Sequence, residues 1–125
     1  MNNCTSLTNI TFGAYFNCPL DNSLYNCSSL THIKFGFRFN CPLCNALDNC
    51  KAITHMVLSD NFNHPLADVL HNHPLLTHLC LGSCFNQEVD LPLNIRSLSL
   101  NCNNMYLMEH LPSSIEDLEL RSNFN

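Results

Sequence analysis

LTHIKFGFRFNCPL, residues 30 to 43, recurs with the same punctuation as LTNITFGAYFNCPL (7 to 20), ITHMVLSDNFNHPL (53 to 66) and LTHLCLGSCFNQEV (76 to 89). The four segments align without gaps at a spacing of 23 residues. Two shorter units open at Ile95 (IRSLSL) and Ile115 (IEDLEL), after steps of 19 and 20 residues. Self-similarity at such a period is the signature of a repeat array. The leading residues Leu7, Leu30, Ile53, Leu76, Ile95 and Ile115 therefore mark six units of a single repeat domain over 1–125, the last truncated at Phe124-Asn125.

The punctuation supports the alignment. All three glycines, Gly13, Gly36 and Gly82, fall in one column, directly after the last apolar residue of the repeating run. Pro19, Pro42 and Pro65 share a second column, and Pro92 and Pro112 each stand three residues before a leading isoleucine. Within a unit, apolar residues at positions 1, 4 and 6 (Leu30, Ile33, Phe35) with polar residues between them predict a short strand with one buried face. The Pro-Leu-x-x-x-Leu that follows in the first three units (Leu20/Leu24, Leu43/Leu47, Leu66/Leu70) predicts a single helical turn on the return path. No unit of this length can bury its own apolar stripe, so the units must stack. The expected fold is an α/β solenoid: a right-handed coil with a parallel β-sheet on the concave face and short helical or irregular turns on the convex side. At strand spacings of ~4.8 Å, it spans roughly 24 Å.

The motif LTHLxxGxxFNQxx of 76 to 89, with its counterparts at 30 to 43 and 53 to 66, resembles the FNIP repeat, a leucine-rich-repeat relative of amoebal and large-DNA-virus proteins. NCTSL, NCSSL and NCKAI also resemble cysteine-containing leucine-rich repeats, in which that thiol plugs the core. Both resemblances imply the same leucine-rich-repeat-like architecture. FNIP arrays are often joined to an F-box, which implies substrate-choosing adaptors of ubiquitin ligases, although no F-box-like segment precedes Cys4 here.

Several columns could carry chemistry. Phe16, Phe39, Phe62, Phe85 and Phe124 are expected to form an apolar spine, and Asn17, Asn40, Asn63, Asn86 and Asn125 a buried amide ladder at the bend. His32, His55 and His78 recur at position 3, between buried positions, and so belong on the concave face. Zinc needs nitrogens about 2.0 Å from one centre, whereas like side chains on parallel strands point the same way ~4.8 Å apart, so no metal is expected there. Cys4, Cys27 and Cys50 read as small core hydrophobes. Cys41-Pro-Leu-Cys44 is a C-x-x-C without a second pair to complete a zinc site. An enzymatic alternative would be a hydrolase using Cys80 and His78, but a thiol nucleophile needs an oriented base and a pocket that excludes water. No catalytic residue and no cofactor is expected.

Composition narrows the class of partner. Ten acidic residues outnumber five basic ones, which form no cluster able to neutralise a phosphate backbone, so nucleic acid is not expected. From Glu88 onward six acids face only Arg96 and Arg121, so any electrostatic preference belongs to the C-terminal third. No stretch approaches the ~18 apolar residues of a membrane helix, and the start MNNCTSLTNI has neither a basic nor an apolar leader region. An intracellular, cytoplasmic protein with reduced thiols is expected, with no membrane partner.

What remains is a binding surface. His32, Lys34, Phe37, Arg38, His55, Val57, His78 and Cys80 are the expected contacts to a protein partner, with Phe37 and Arg38 near the centre beside the histidine column. The alternative is an assembly element of a larger complex, or a piece of an F-box/FNIP adaptor. Uncapped solenoid ends, with Leu118, Leu120 and Phe124 at one of them, predict self-association.

Overall fold

The computed structural model describes residues 4–121; Phe124 and Asn125 of the phenylalanine and asparagine columns lie outside the described residues. One short strand arises from each unit: β1 (Asn9–Thr11), β2 (His32–Lys34), β3 (His55–Val57), β4 (His78–Leu81), β5 (Ser97–Leu100) and β6 (Asp117–Leu120). They form one parallel sheet in chain order, β1-β2-β3-β4-β5-β6. The register is that of the repeat, so His32 pairs with His55, and His55 with His78.

Positions 1, 4 and 6 fill the interior. Leu30, Ile33 and Phe35, then Ile53, Met56 and Leu58, Leu76, Leu79 and Leu81, and Ile95, Leu98 and Leu100 are all buried in one continuous core. Burying each such side chain is worth about 1.5–3 kcal/mol, which a lone unit could not collect.

Each strand is entered, and each of β1 to β4 is left, by a turn with a recurring hydrogen bond. On entry, the leading amide donates to the carbonyl three residues back, as Leu30 N to Cys27 O (3.3 Å), Leu76 N to His73 O (3.1 Å) and Ile95 N to Pro92 O (3.2 Å). The column occupant supplies a carbonyl to this turn, so cysteine, histidine and proline can alternate there. On exit, Phe39 N donates to Gly36 O (3.2 Å) and Phe85 N to Gly82 O (3.3 Å). No glycine has a positive φ, so the turn does not need glycine's backbone freedom. Packing does: a Cβ on Gly36 would lie 2.2 Å from Gly13 O, and one on Gly82 2.3 Å from Ser59 O.

The return path departs from the expected helical turn in the first two units. Only unit 3 forms it, as α1 (Ala67–His71). Units 1 and 2 instead run as successive tight turns, with Ser23 N to Leu20 O (2.9 Å) and Cys27 N to Leu24 O (3.1 Å), and likewise Ala46 N to Leu43 O (2.9 Å). The column after the leucine explains the difference. Asp21 and Cys44 sit there at φ 48° and 47°, in the left-handed region, which a right-handed helix cannot include. Unit 3 has Ala67, the best helix former, in that column. A second helix, α2 (Met105–Glu109), arises in unit 5, where Asn104 Oδ1 caps it by accepting from Leu107 N (3.2 Å).

Curvature is visible in the two aromatic columns. Phe39, Phe62 and Phe85 are buried with ring centroids 6.1 and 6.4 Å apart, and half-buried Phe16 lies 6.1 Å from Phe39. The histidine rings on the sheet face stand only 4.1 and 4.0 Å apart. A uniform stack would hold both near the ~4.8 Å strand spacing, so the histidine face is the closed, concave one.

Candidate interaction face

The concave face is organised by a threonine and histidine ladder. Thr31, Thr54 and Thr77 each precede a column histidine, and each Oγ1 donates to the threonine carbonyl one unit back: Thr8 O (3.1 Å), Thr31 O (3.3 Å) and Thr54 O (3.3 Å). The same oxygens lie 2.8 Å from Nδ1 of His32, His55 and His78, which holds each ring against the threonine before it. Burial and the imidazoles of His78 and His32 hold His55 below the ordinary histidine value of 6.5, in that order of weight.

Shallow depressions flank this ladder. One of about 260 Å³ is lined by Asn9, Thr11, His32, Lys34, His55 and Val57, among others. A smaller one, about 120 Å³, lies among His55, Val57, His78, Cys80, Ser97 and Ser99. Ser99 Oγ is buried there without a hydrogen-bond partner. Beyond the strand ends a third depression of about 290 Å³ brings Lys34, Phe37, Val57 and Cys80 together with Asp60 and Arg121. Lys34 and Val57 thus join the histidine column to the exposed Phe37. Arg38 lines none of the three; its guanidinium lies 4.9 Å over the Tyr15 ring, on the rim. Acidic residues gather at the far end, where Asp117 and Glu119 stand on β6 and Glu119 pairs with Arg121.

The Cys80 and His78 pair does not take the geometry of an activated nucleophile. His78 Nδ1 is engaged by Thr77, and among the described residues no hydrogen bond joins Cys80 to a histidine. All nine cysteines are free thiols. Cys41 Sγ donates to Asn17 Oδ1 (3.3 Å), while Cys44 is exposed on the left-handed residue of its turn. Among the described residues no three histidine, cysteine or acidic side chains converge to hold a metal ion.

The asparagine ladder runs along the surface and is not buried: Asn17, Asn40 and Asn86 are exposed and Asn63 half-buried. Its bonds go to the following unit, with Asn40 N to Asn17 Oδ1 (2.8 Å), Asn63 N to Asn40 Oδ1 (3.0 Å) and Asn86 N to Asn63 Oδ1 (2.9 Å). The phenylalanine beside each asparagine takes the interior, which turns the amide outward. Sequence reasoning missed the next column, where Cys41, His64 and Gln87 each reach back to the preceding asparagine. It also missed His73, which stands 23 residues after Cys50 in the cysteine column. Cys50 Sγ donates to Leu24 O (3.4 Å), and His73 Nε2 lies 2.8 Å from the equivalent Leu47 O. The spacing alone would have revealed both.

No family model and no curated protein matches the sequence, so the FNIP resemblance rests on the motif columns. The fold is similar to a crystal structure described as that of CroV588, a novel circular leucine-rich-repeat protein, with a TM-score of 0.69 and 27% identity over 93% of this chain. This chain spans 21% of that one, about a fifth of its length. The chain is a leucine-rich-repeat-like solenoid.

Proposed function

We propose that this solenoid is a protein-interaction module of FNIP type whose concave face binds a protein partner. The threonine-anchored histidine stack is the observation that carries the reading. Each ring is fixed by a hydrogen bond and by stacking on its neighbour, so little side-chain freedom is lost when a partner docks. Three aligned imidazoles, with Val57 beside them and Phe37 at the rim, combine orientation with apolar contact, the usual composition of a binding surface.

The test is affinity capture with wild type, a concave double variant (His55→Ala, Phe37→Ala) and a variant at the exposed Tyr25 (Tyr25→Ala) on the return path. A specific partner should be lost with the double variant and kept with Tyr25→Ala. Retention of every partner by the double variant would overturn the reading.

A second reading, in which the array works inside a larger assembly, is favoured by the apolar edge at β6. Leu118 and Leu120 are 42% and 41% exposed there, although they occupy the columns of the buried Leu98 and Leu100. The similar solved protein is circular, and a repeat of this kind can continue past one such edge.

A further inference from the structure

The concave face is electrically unlike the rest of the chain. Ten acids outnumber five bases overall, yet the outward side chains of β1 to β5 include Lys34 and three histidines and no acid. Within the sheet only β6 carries acids, Asp117 and Glu119. Four strand steps separate β6 from β2, roughly 19 Å at ~4.8 Å each, which is about twice the screening length of physiological salt. Those carboxylates therefore do little to offset the charge of Lys34. Both ion pairs among the described residues lie elsewhere, at Arg96–Glu116 and Arg121–Glu119. Asp60, which shares the depression beyond the strand ends with Lys34, accepts from Asn101 Nδ2 (3.4 Å).

Donors line the depression of about 260 Å³ over β1 to β3: Lys34, the Asn9 amide and the Thr11 hydroxyl, beside the rings of His32 and His55. One full positive charge among neutral donors suits one negative charge. A carboxylate carries that charge. A phosphate carries nearly two, and no arginine lines the depression to form the paired bonds that phosphate sites favour. The smaller depression over β3 to β5 continues the line across the strands with no acid, lysine or arginine. An extended chain advancing ~3.3 Å per residue covers the two strand steps between them in about three residues.

Granting the concave face as the binding surface, we propose that this depression receives a glutamate or aspartate side chain of an extended partner segment laid across the strands, and that the histidine stack takes up protons as it binds. The rings stand 4.1 and 4.0 Å apart, so charging one opposes charging the next. Burial and the two flanking imidazoles already hold His55 below the ordinary value. A carboxylate beside the row reverses that balance by favouring the charged ring, and a protonated imidazole donates from both nitrogens. The other titratable side chains on this face are Lys34 on β2, Cys80 on β4 and the two acids of β6, while β1 and β5 present none.

The experiment titrates peptides of sequence Thr-Val-Thr-X-Thr-Val-Thr, with X glutamate, glutamine, lysine or phosphoserine, into isotope-labelled protein and follows the amide shifts by NMR. At pH about 7.5 the glutamate peptide should bind about fivefold more tightly than the glutamine peptide, and more tightly than the other two, with the largest shifts on β1 to β3. Lowering the pH to about 6 should widen that advantage, because glutamate stays ionised while the histidines gain charge. Lys34→Gln, at an exposed position, should melt like wild type and lose most of the advantage, and His32→Gln should blunt its growth at low pH. Equal binding of the glutamate and glutamine peptides, preference for lysine or phosphoserine, or no binding of any peptide at millimolar concentration would overturn the proposal. So would an advantage that survives Lys34→Gln or ignores pH. A partner that is lost with the concave double variant yet indifferent to Lys34→Gln would overturn it and leave the concave face standing as the binding surface.

Discussion

Replacing Gly36 by alanine adds one carbon, and the structure says where it goes: 2.2 Å from Gly13 O and 2.6 Å from Gly13 C, where non-bonded heavy atoms prefer about 3.5 Å. The clash is with backbone, so no side chain can swing aside. Units 1 and 2 must part locally, against Phe12 N to Lys34 O (2.9 Å) and Arg38 N to Ala14 O (3.0 Å) on either side of the contact. Overpacking costs about 1–3 kcal/mol and a lost hydrogen bond about 1 more, so a loss of about 2–4 kcal/mol is expected. Ser59 sets the upper end. It carries a side chain in the same column, with its hydroxyl bonded to Phe39 O at 2.6 Å, so a locally adjusted unit can host a Cβ and the variant should still fold. Gly13→Ala is the matched control. Its Cβ meets nothing and its φ is not positive, so stability should change by less than about 1 kcal/mol. Urea titration followed by circular dichroism at low protein concentration measures both. Thermal melting should place Gly36→Ala roughly 10 °C below Gly13→Ala. If the two variants unfold together, backbone crowding is not the reason for glycine in this column.

The ladder gives a second comparison. Asn63 Oδ1 accepts from Asn86 N (2.9 Å) and Gln87 Nε2 (3.0 Å), so Asn63→Ala should cost about 1–2 kcal/mol by chemical denaturation. Asn63→Asp, which keeps an acceptor there, should recover most of that loss; equal losses would refute the assignment. For His55, the folded protein disfavours the charged ring more than the unfolded chain does. Its contribution to stability is therefore full above 6.5 and is lost as pH falls through the lower folded value. Melting temperature should drop across that window, and His55→Asn should reduce the drop; an unchanged pH profile would count against the stack. Burial and the Cys27 sulfur push the Cys50 thiol up to about 11. Alkylation of the native protein at mildly alkaline pH should label exposed Cys18, Cys44 and Cys84 and spare Cys27 and Cys50, which peptide mapping would show directly.

The repeat and its consequence, a stacked parallel sheet, are written in the 23-residue columns, because only stacking can bury positions 1, 4 and 6 of units this short. The strand register of His32, His55 and His78 follows from the same spacing. Other features needed the folded chain. Whether a return segment becomes helix or turns depended on one residue per unit, with Asp21 and Cys44 left-handed and Ala67 helical, a backbone choice that the Pro-Leu motif does not encode. The asparagine ladder faces outward because the neighbouring phenylalanines occupy the interior. The threonine ladder is likewise tertiary: each hydroxyl meets a carbonyl one full repeat away in sequence, which only stacking brings beside it. Gly13, Gly36 and Gly82 are identical in the sequence. Only the tertiary structure separates the two pressed against a preceding backbone from the one facing open space, because that contact belongs to the neighbouring unit and not to the glycine itself.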